Sequence, residues 1–176
     1  MKRDNVILVD RQDRAIGEME KMQAHREGVL HRAFSIFIFN GAGQMLIHQR
    51  AASKYHGAGL WTNACCSHPQ MGEGLAAAAA ERLDYEMGIQ CALAWTFSFV
   101  YCGKVENDLI EHEFDHVFVG LFDGEPKLNS GEVAQYQWID METLNEWIAT
   151  SPEDFTIWFR EALPMLLEEM SNSLGV

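Results

Sequence analysis

Ala33-Phe34-Ser35-Ile36-Phe37-Ile38-Phe39, then Asn40-Gly41-Ala42-Gly43, then Gln44-Met45-Leu46-Ile47-His48-Gln49-Arg50, is the stretch that decides the fold class. The first seven residues are rich in aromatic and β-branched side chains, which suit a strand. The next four carry turn chemistry, and Gln44 to Arg50 reads as the return strand of a hairpin. Upstream, residues 5–9 read as a short strand, residues 10–17 as a turn, and residues 18–24 are helix-prone. Downstream, residues 51–73 have no periodicity and contain Gly57, Gly59, Pro69 and Gly72. A long ordered loop in a small domain is usually functional. The alanine run from Ala76 to Ala80 favours a helix over 74–87, stopped by Gly88. Residues 94–101 and 113–122 read as strands separated by a turn or bulge at 105–110, and residues 133–139 as another strand. Residues 140–149 and 154–170 read as helices, the second after Ser151-Pro152. The order predicts one α+β domain over residues 1–176, with a mixed β-sheet core and flanking helices.

The 176 residues suffice for one core and are few for two. Hydrophobic residues at 48% and charged residues at 22% are ordinary for a soluble globular chain. No apolar run is long enough to span a membrane, and Met1 to Asn5 lacks the apolar stretch of a leader, so a cytoplasmic protein is expected. Four cysteines, two of them adjacent (Cys65 and Cys66, with Cys91 and Cys102), do not read as a disulfide framework and fit a reactive or metal-bound thiol in a reducing compartment. A net charge of −13 with no basic stripe argues against a nucleic-acid partner. It also means that any anionic substrate needs a local cationic pocket working against the global field.

His25, His31, His68, Glu111 and Glu113 are potential ligands of a divalent metal. Glu111 and Glu113 are two apart on a predicted strand, so both point to one face while His112 points to the other. Imidazole with carboxylate suits zinc, manganese or iron. Singly, each histidine is more often a surface or satisfied residue, and the acidic pair more often a solvated strand face. Cys66 lies in Trp61-Thr62-Asn63-Ala64-Cys65-Cys66-Ser67-His68-Pro69. A thiol can both give and take a proton, and on chemistry alone Cys65 is an equal candidate. A buried, inert cysteine is the commoner case. Lys21, Arg50, Lys54 and Arg82 could bind phosphate oxygens. Arg82 and Glu86 share a helix face at i, i+4. Trp61, Tyr101 and Trp158 could face a carbocation, worth about 0.5–2 kcal/mol, although most tryptophans are core.

These pieces occur in a recognisable order. His25, Leu30-His31-Arg32-Ala33-Phe34-Ser35, Gln49-Arg50, Lys54, the segment Trp61 to Pro69, Tyr85-Glu86-Met87-Gly88-Ile89, Glu111-His112-Glu113 and Tyr136-Gln137-Trp138 resemble the type I isopentenyl-diphosphate isomerase family from about residue 5 to residue 160. Trp61 to Pro69 is the most specific part. The resemblance implies a Nudix-like fold and interconversion of isopentenyl and dimethylallyl diphosphates. It implies a metal site of His25, His31, His68, Glu111 and Glu113, holding manganese, zinc or magnesium. It implies Cys66 as the catalytic cysteine, Glu113 as ligand and acid/base group, Tyr101 as its assistant, and Trp158 beside the cationic centre. Lys21, Arg50, Lys54, Ser67 and Arg82 match substrate contacts, and Glu86 matches a ligand of a magnesium that bridges to the diphosphate. The six-residue step from His25 to His31 is one shorter than in some members, which a loop can absorb. The implied partner is a small diphosphate, with neither nucleic acid nor membrane, and the chain would act as a monomer or weak homodimer. A Nudix hydrolase, the rival reading, would want clustered glutamates near Glu73, Glu81 and Glu86, but Glu81-Arg82 reverses the adjacent pair that signature needs. A binding domain without activity is a further rival, disfavoured by the retained Cys66, Glu113 and Tyr101.

Overall fold

A computed structural model describes residues 3–173. Met1 and Lys2, read above for a leader, lie outside the described residues. In chain order come β1 (Asn5–Val9), β2 (Ala15–Glu20), α1 (Lys21–Glu27), β3 (His31–Phe39), β4 (Met45–Arg50), β5 (Trp61–Thr62), β6 (Cys65–Ser67) and α2 (Leu75–Met87). There follow β7 (Leu93–Lys104), β8 (Ile110–Leu121), β9 (Val133–Ile139), α3 (Met141–Thr150), a 3-10 turn (Pro152–Asp154) and α4 (Ile157–Ser173). The mixed sheet with helices on its faces is the α+β architecture expected.

β3 is the centre of the sheet and is buried almost throughout. Along one edge it pairs in parallel with β8, from His31↔Glu113 to Phe39↔Leu121. Along the other it meets β1 at Leu8↔His31 and β6 at Phe34↔Ser67, Ser35↔Cys66 and Ile36↔Cys65. The expected hairpin is therefore only a corner: β3 and β4 share the single pair Phe39↔Met45. β4 turns away to pair with β9 and β5, because both edges of β3 are already taken. β7 pairs antiparallel with β8 along its length and places Tyr101 opposite Glu113.

Other boundaries also move. Residues 15–17, read as turn, begin β2, which pairs with β1. The helix read from residue 18 starts at Lys21, because the Glu20 carboxylate accepts from the backbone amides of Met22 and Gln23 and caps it. Residues 51–73 hold two short strands, which sequence periodicity cannot show at two and three residues. The last helix starts at Ile157 instead of 154, since Phe155 bridges to Trp61 and the Thr156 amide donates to the Trp61 carbonyl. Gly88 closes α2 at φ 61°, where a Cβ would also lie 2.6 Å from Cβ of Lys127, so only glycine fits.

Two apolar clusters hold the layers together. Phe37, Phe155, Phe159, Leu163 and Leu166 pack α4 on one face of the sheet. Phe34, Ile36, Ile38, Ala79, Leu83 and Met87 pack α2 on the other. Burying one such leucine or phenylalanine stabilises by about 1.5–3 kcal/mol.

Candidate active site

β8 alternates, so Glu111, Glu113 and Asp115 turn to one buried face. His31 faces Glu113 from β3, His25 comes from α1, and His68 from the end of β6. Gly28 ends α1 at φ 65°, which lets the chain reach β3 within three residues and absorbs the short step between the two histidines. His25 Nε2 lies 3.2 Å from Glu111 Oε1, His31 Nε2 lies 3.6 Å from Glu113 Oε1, and His68 Nε2 lies 2.9 Å from the same oxygen. The donor atoms of His25, His31, His68 and Glu113 all lie within 4.8 Å of one another.

The chemistry of this set fits a cation. His25 Nδ1 donates to the Lys21 carbonyl at 2.6 Å and His31 Nδ1 to the Val29 carbonyl at 2.8 Å. Each ring then turns its other nitrogen inward, as metal-bound histidines do. His25 Nε2, His31 Nε2 and Glu111 Oε2 are buried without a hydrogen-bond partner. Burial pushes the His68 pKa down to about 4, so the ring is neutral at neutral pH. Burial and the neighbouring Glu111 push Glu113 up, but the nearby His31 and His68 imidazoles outweigh them and leave it below the usual carboxylate range. A group able to bind a metal is thus present.

Tyr101 Oη donates to Glu113 Oε2 at 2.6 Å. Burial, reinforced by the Glu113 charge, holds the phenol well above its ordinary pKa, so it stays a donor. Tyr101 does not line the cavity; it reaches it only through Glu113.

β6 separates the two adjacent thiols. Cys65 is sealed among the apolar residues under α2, whereas Cys66 opens into the cavity. Cys66 Sγ donates to Asn63 Oδ1 at 3.0 Å, and Asn63 is oriented by donating its amide to the carbonyls of Ile36 and Cys65, both at 3.0 Å. Ser35 Oγ lies 3.4 Å from the same sulfur and donates to Asp115 Oδ2 at 2.6 Å. Burial, then the Asp115 carboxyl, pushes the Cys66 thiol up, so it rests protonated.

The cavity, of about 310 Å³, brings together Lys21, Arg50, Lys54, Cys66, Ser67, His68, Arg82, Glu86, Glu111, Glu113 and Trp158. Trp61 is not among its walls; it packs edge-on against Trp147 at 5.6 Å in the α4 core. The Arg50 guanidinium sits 5.0 Å from the Trp158 ring. Lys21 Nζ lies 5.0 Å over Tyr55, Lys54 pairs with Glu132, and Arg82 Nη2 donates to Glu86 Oε1 at 2.7 Å. Of the three glutamates a hydrolase would cluster, only Glu86 faces the cavity. Glu73 and Glu81 are held by Arg3, at 2.8 and 2.6 Å.

Sequence reading missed four residues here: His56, Asn63, Ser35 and Asp115. Asn63 and Ser35 lay inside quoted motifs without a role. Asp115 continues the alternation of Glu111 and Glu113 and was within reach of the same argument. His56, in the aperiodic loop, gave no signal.

The NUDIX domain family matches residues 29–159. A Burkholderia multivorans isopentenyl-diphosphate Delta-isomerase is 52% identical over 168 residues, covering 93% of this chain and 96% of that protein. A Serratia proteamaculans protein of the same name is 53% identical over 154 residues, covering 88% and 86%. Among solved structures, DR0079 from Deinococcus radiodurans superposes with a TM-score of 0.70 at 20% identity, covering 83% of this chain and 89% of that one. A MutT protein from Methanosarcina mazei gives 0.66 at 19%, covering 80% and 94%. At those identities the likeness to the solved structures is one of fold. The NUDIX fold, the length of chain shared with these relatives and the thiol and His/Glu groups meeting in one cavity agree: the chain belongs to the isopentenyl-diphosphate Delta-isomerase family.

Proposed function

We propose that this enzyme interconverts isopentenyl and dimethylallyl diphosphates by moving one proton onto and one off an allylic frame, supplying isoprenoid synthesis. The observation that carries the reading is that Cys66 and Glu113, from strands on opposite edges of β3, line one cavity ringed by cations. Glu113, with Tyr101 behind it, protonates the terminal carbon and leaves a tertiary cation at the branch carbon. Cys66 takes the proton from the neighbouring carbon on the other face. Trp158 offers its ring to the cation. Lys21, Arg50, Lys54, Ser67 and Arg82 hold the diphosphate, whose binding energy fixes the five-carbon tail.

His25, His31, His68, Glu111 and Glu113 would hold manganese, zinc or magnesium, and Glu86 a magnesium shared with the diphosphate. A cation among the imidazoles, when bound, fixes Glu113 and tunes its acidity. Turnover from isopentenyl diphosphate leaves Cys66 protonated and Glu113 ionised, which is also the resting state that burial favours at Cys66 and the neighbouring imidazoles favour at Glu113. Each turnover therefore needs both protons reset. The reaction belongs in the cytoplasm, where adjacent Cys65 and Cys66 stay reduced, and needs no more than a monomer or weak homodimer. No helix among the described residues is long and apolar enough to cross a membrane.

The test is incubation with isopentenyl diphosphate and magnesium in deuterated water. Dimethylallyl diphosphate carrying solvent deuterium is expected, and its loss in Cys66→Ala. Absence of both conversion and exchange, with manganese or zinc restored, would overturn the reading. Release of inorganic phosphate instead would favour a hydrolase.

A further inference from the structure

Glu132 has no part in the proposed reaction, yet it lines the cavity beside two of the cations that would hold a diphosphate. One oxygen of its carboxylate pairs with Lys54 Nζ, and the other lies 3.7 Å from Arg82 Nη2. Lys21 shares that field. Burial pushes its pKa down, Lys54 and Arg82 add to the effect as like charges, and Asp4 and Glu132 oppose it. The Glu132 side chain is 21% exposed, and at that exposure an ion pair adds little to stability.

The position is nonetheless built. The Glu132 amide donates to the Asn129 carbonyl at 2.9 Å, and the Asn129 amide donates to the Glu86 carbonyl at 2.9 Å, near the end of α2. On the other side the Ala51 amide donates to the Glu132 carbonyl at 3.0 Å. The turn is thus fastened to both elements that supply the cations, α2 with Arg82 and the loop after β4 with Lys54. A carboxylate has two oxygens and one charge. It meets Lys54 but stands beyond hydrogen-bond reach of Arg82, whose Nε is buried without a partner. A diphosphate has more oxygens and more charge, and can answer both cations at once.

We propose that Glu132 is a resident counter-anion that competes with the diphosphate for Lys54 and Arg82 and so limits how tightly it is held. This rests on the diphosphate binding of the proposed function and deepens it. Substrate and product carry the same diphosphate, so a seat that grips it too firmly traps both. The competing carboxylate keeps this uniform binding down and lets the product leave. It also gives the two cations a partner to return to, so α2 and the loop after β4 stay in place as the ligand comes and goes.

The probe is inorganic diphosphate, titrated by calorimetry into the whole chain at a fixed magnesium concentration. Glu132→Gln and Glu132→Ala should bind it about 10-fold more tightly than wild type. Melting checks that each variant is folded, and a disordered mouth would bind more weakly, so tightening cannot come from structural damage. The gain should shrink when Lys54→Ala is already present, because one of the two contested cations is gone. Unchanged or weaker binding in both variants would overturn the proposal and leave the diphosphate seat standing. An equal gain in the Lys54→Ala background would reduce Glu132 to one part of the net −13 field and overturn it as well. No binding by wild type or variants would overturn the seat itself, while deuterium exchange would still judge the isomerase reading separately.

Discussion

The floor and the mouth of the cavity are built in opposite ways. The floor is made of groups left incomplete: inward nitrogens on His25 and His31 and an oxygen on Glu111 have no partner. They ride on β3, β8 and α1, with backbone carbonyls fixing each ring. The mouth is made of charges already met, Lys54 by Glu132, Arg82 by Glu86, and Lys21 and Arg50 by aromatic faces, although Nε of Arg50 and of Arg82 is left without a hydrogen-bond partner. Preorganisation at the floor suits charge that develops only in the transition state. Neutralised cations at the mouth would suit a diphosphate that carries the magnesium proposed above. This also resolves how a chain of net charge −13 can take a diphosphate: the anion meets a locally balanced rim.

If that contrast is right, substitutions at the two ends separate in kinetics. Cys66→Ala and Glu113→Gln should lower kcat by about 10³-fold or more with KM nearly unchanged; a rise in KM alone would erase the distinction. Tyr101→Phe removes one charge-assisted hydrogen bond and should cost about 10–100-fold in kcat/KM, by the same factor from isopentenyl and from dimethylallyl diphosphate, since both directions cross the same transition states. Lys54→Ala should raise KM about 10-fold and leave kcat within about threefold; steady-state rates at saturating substrate decide it. The smallest effect belongs to Cys65→Ala, which should keep kcat within about twofold and lower stability by about 1 kcal/mol, measured by urea denaturation.

The first and the last of these predictions turn on something residue chemistry alone left open. Cys65 and Cys66 are chemically equal in the chain, and only the alternation of β6 sends one under α2 and the other into the cavity. Where a property follows from local period, it was legible: Glu111 and Glu113 share a face, β9 runs Val133–Ile139, and Gly88 ends α2. Where it depends on which distant strand claims an edge, it was not. The splaying of β3 from β4 needs β8, some 80 residues later, as does the meeting of Ser35 with Asp115. β2 was hidden because none of its residues is buried and Gly17 and two glutamates break up its apolar ones. His56 is buried only because α4 brings Trp158 over its loop, a contact no window on residues 51–73 contains.

β3 is also a ruler. It sets His31 against Glu113 and, four residues on, Ser35 against Cys66, so the offset between the two groups proposed to move protons is counted in peptide units. An even count keeps both on one face; an odd count would turn one outward. A residue inserted at the Asn40–Gly43 corner would change a turn. The same residue inserted between Arg32 and Phe34 would leave every reactive side chain in the chain and no site to hold them.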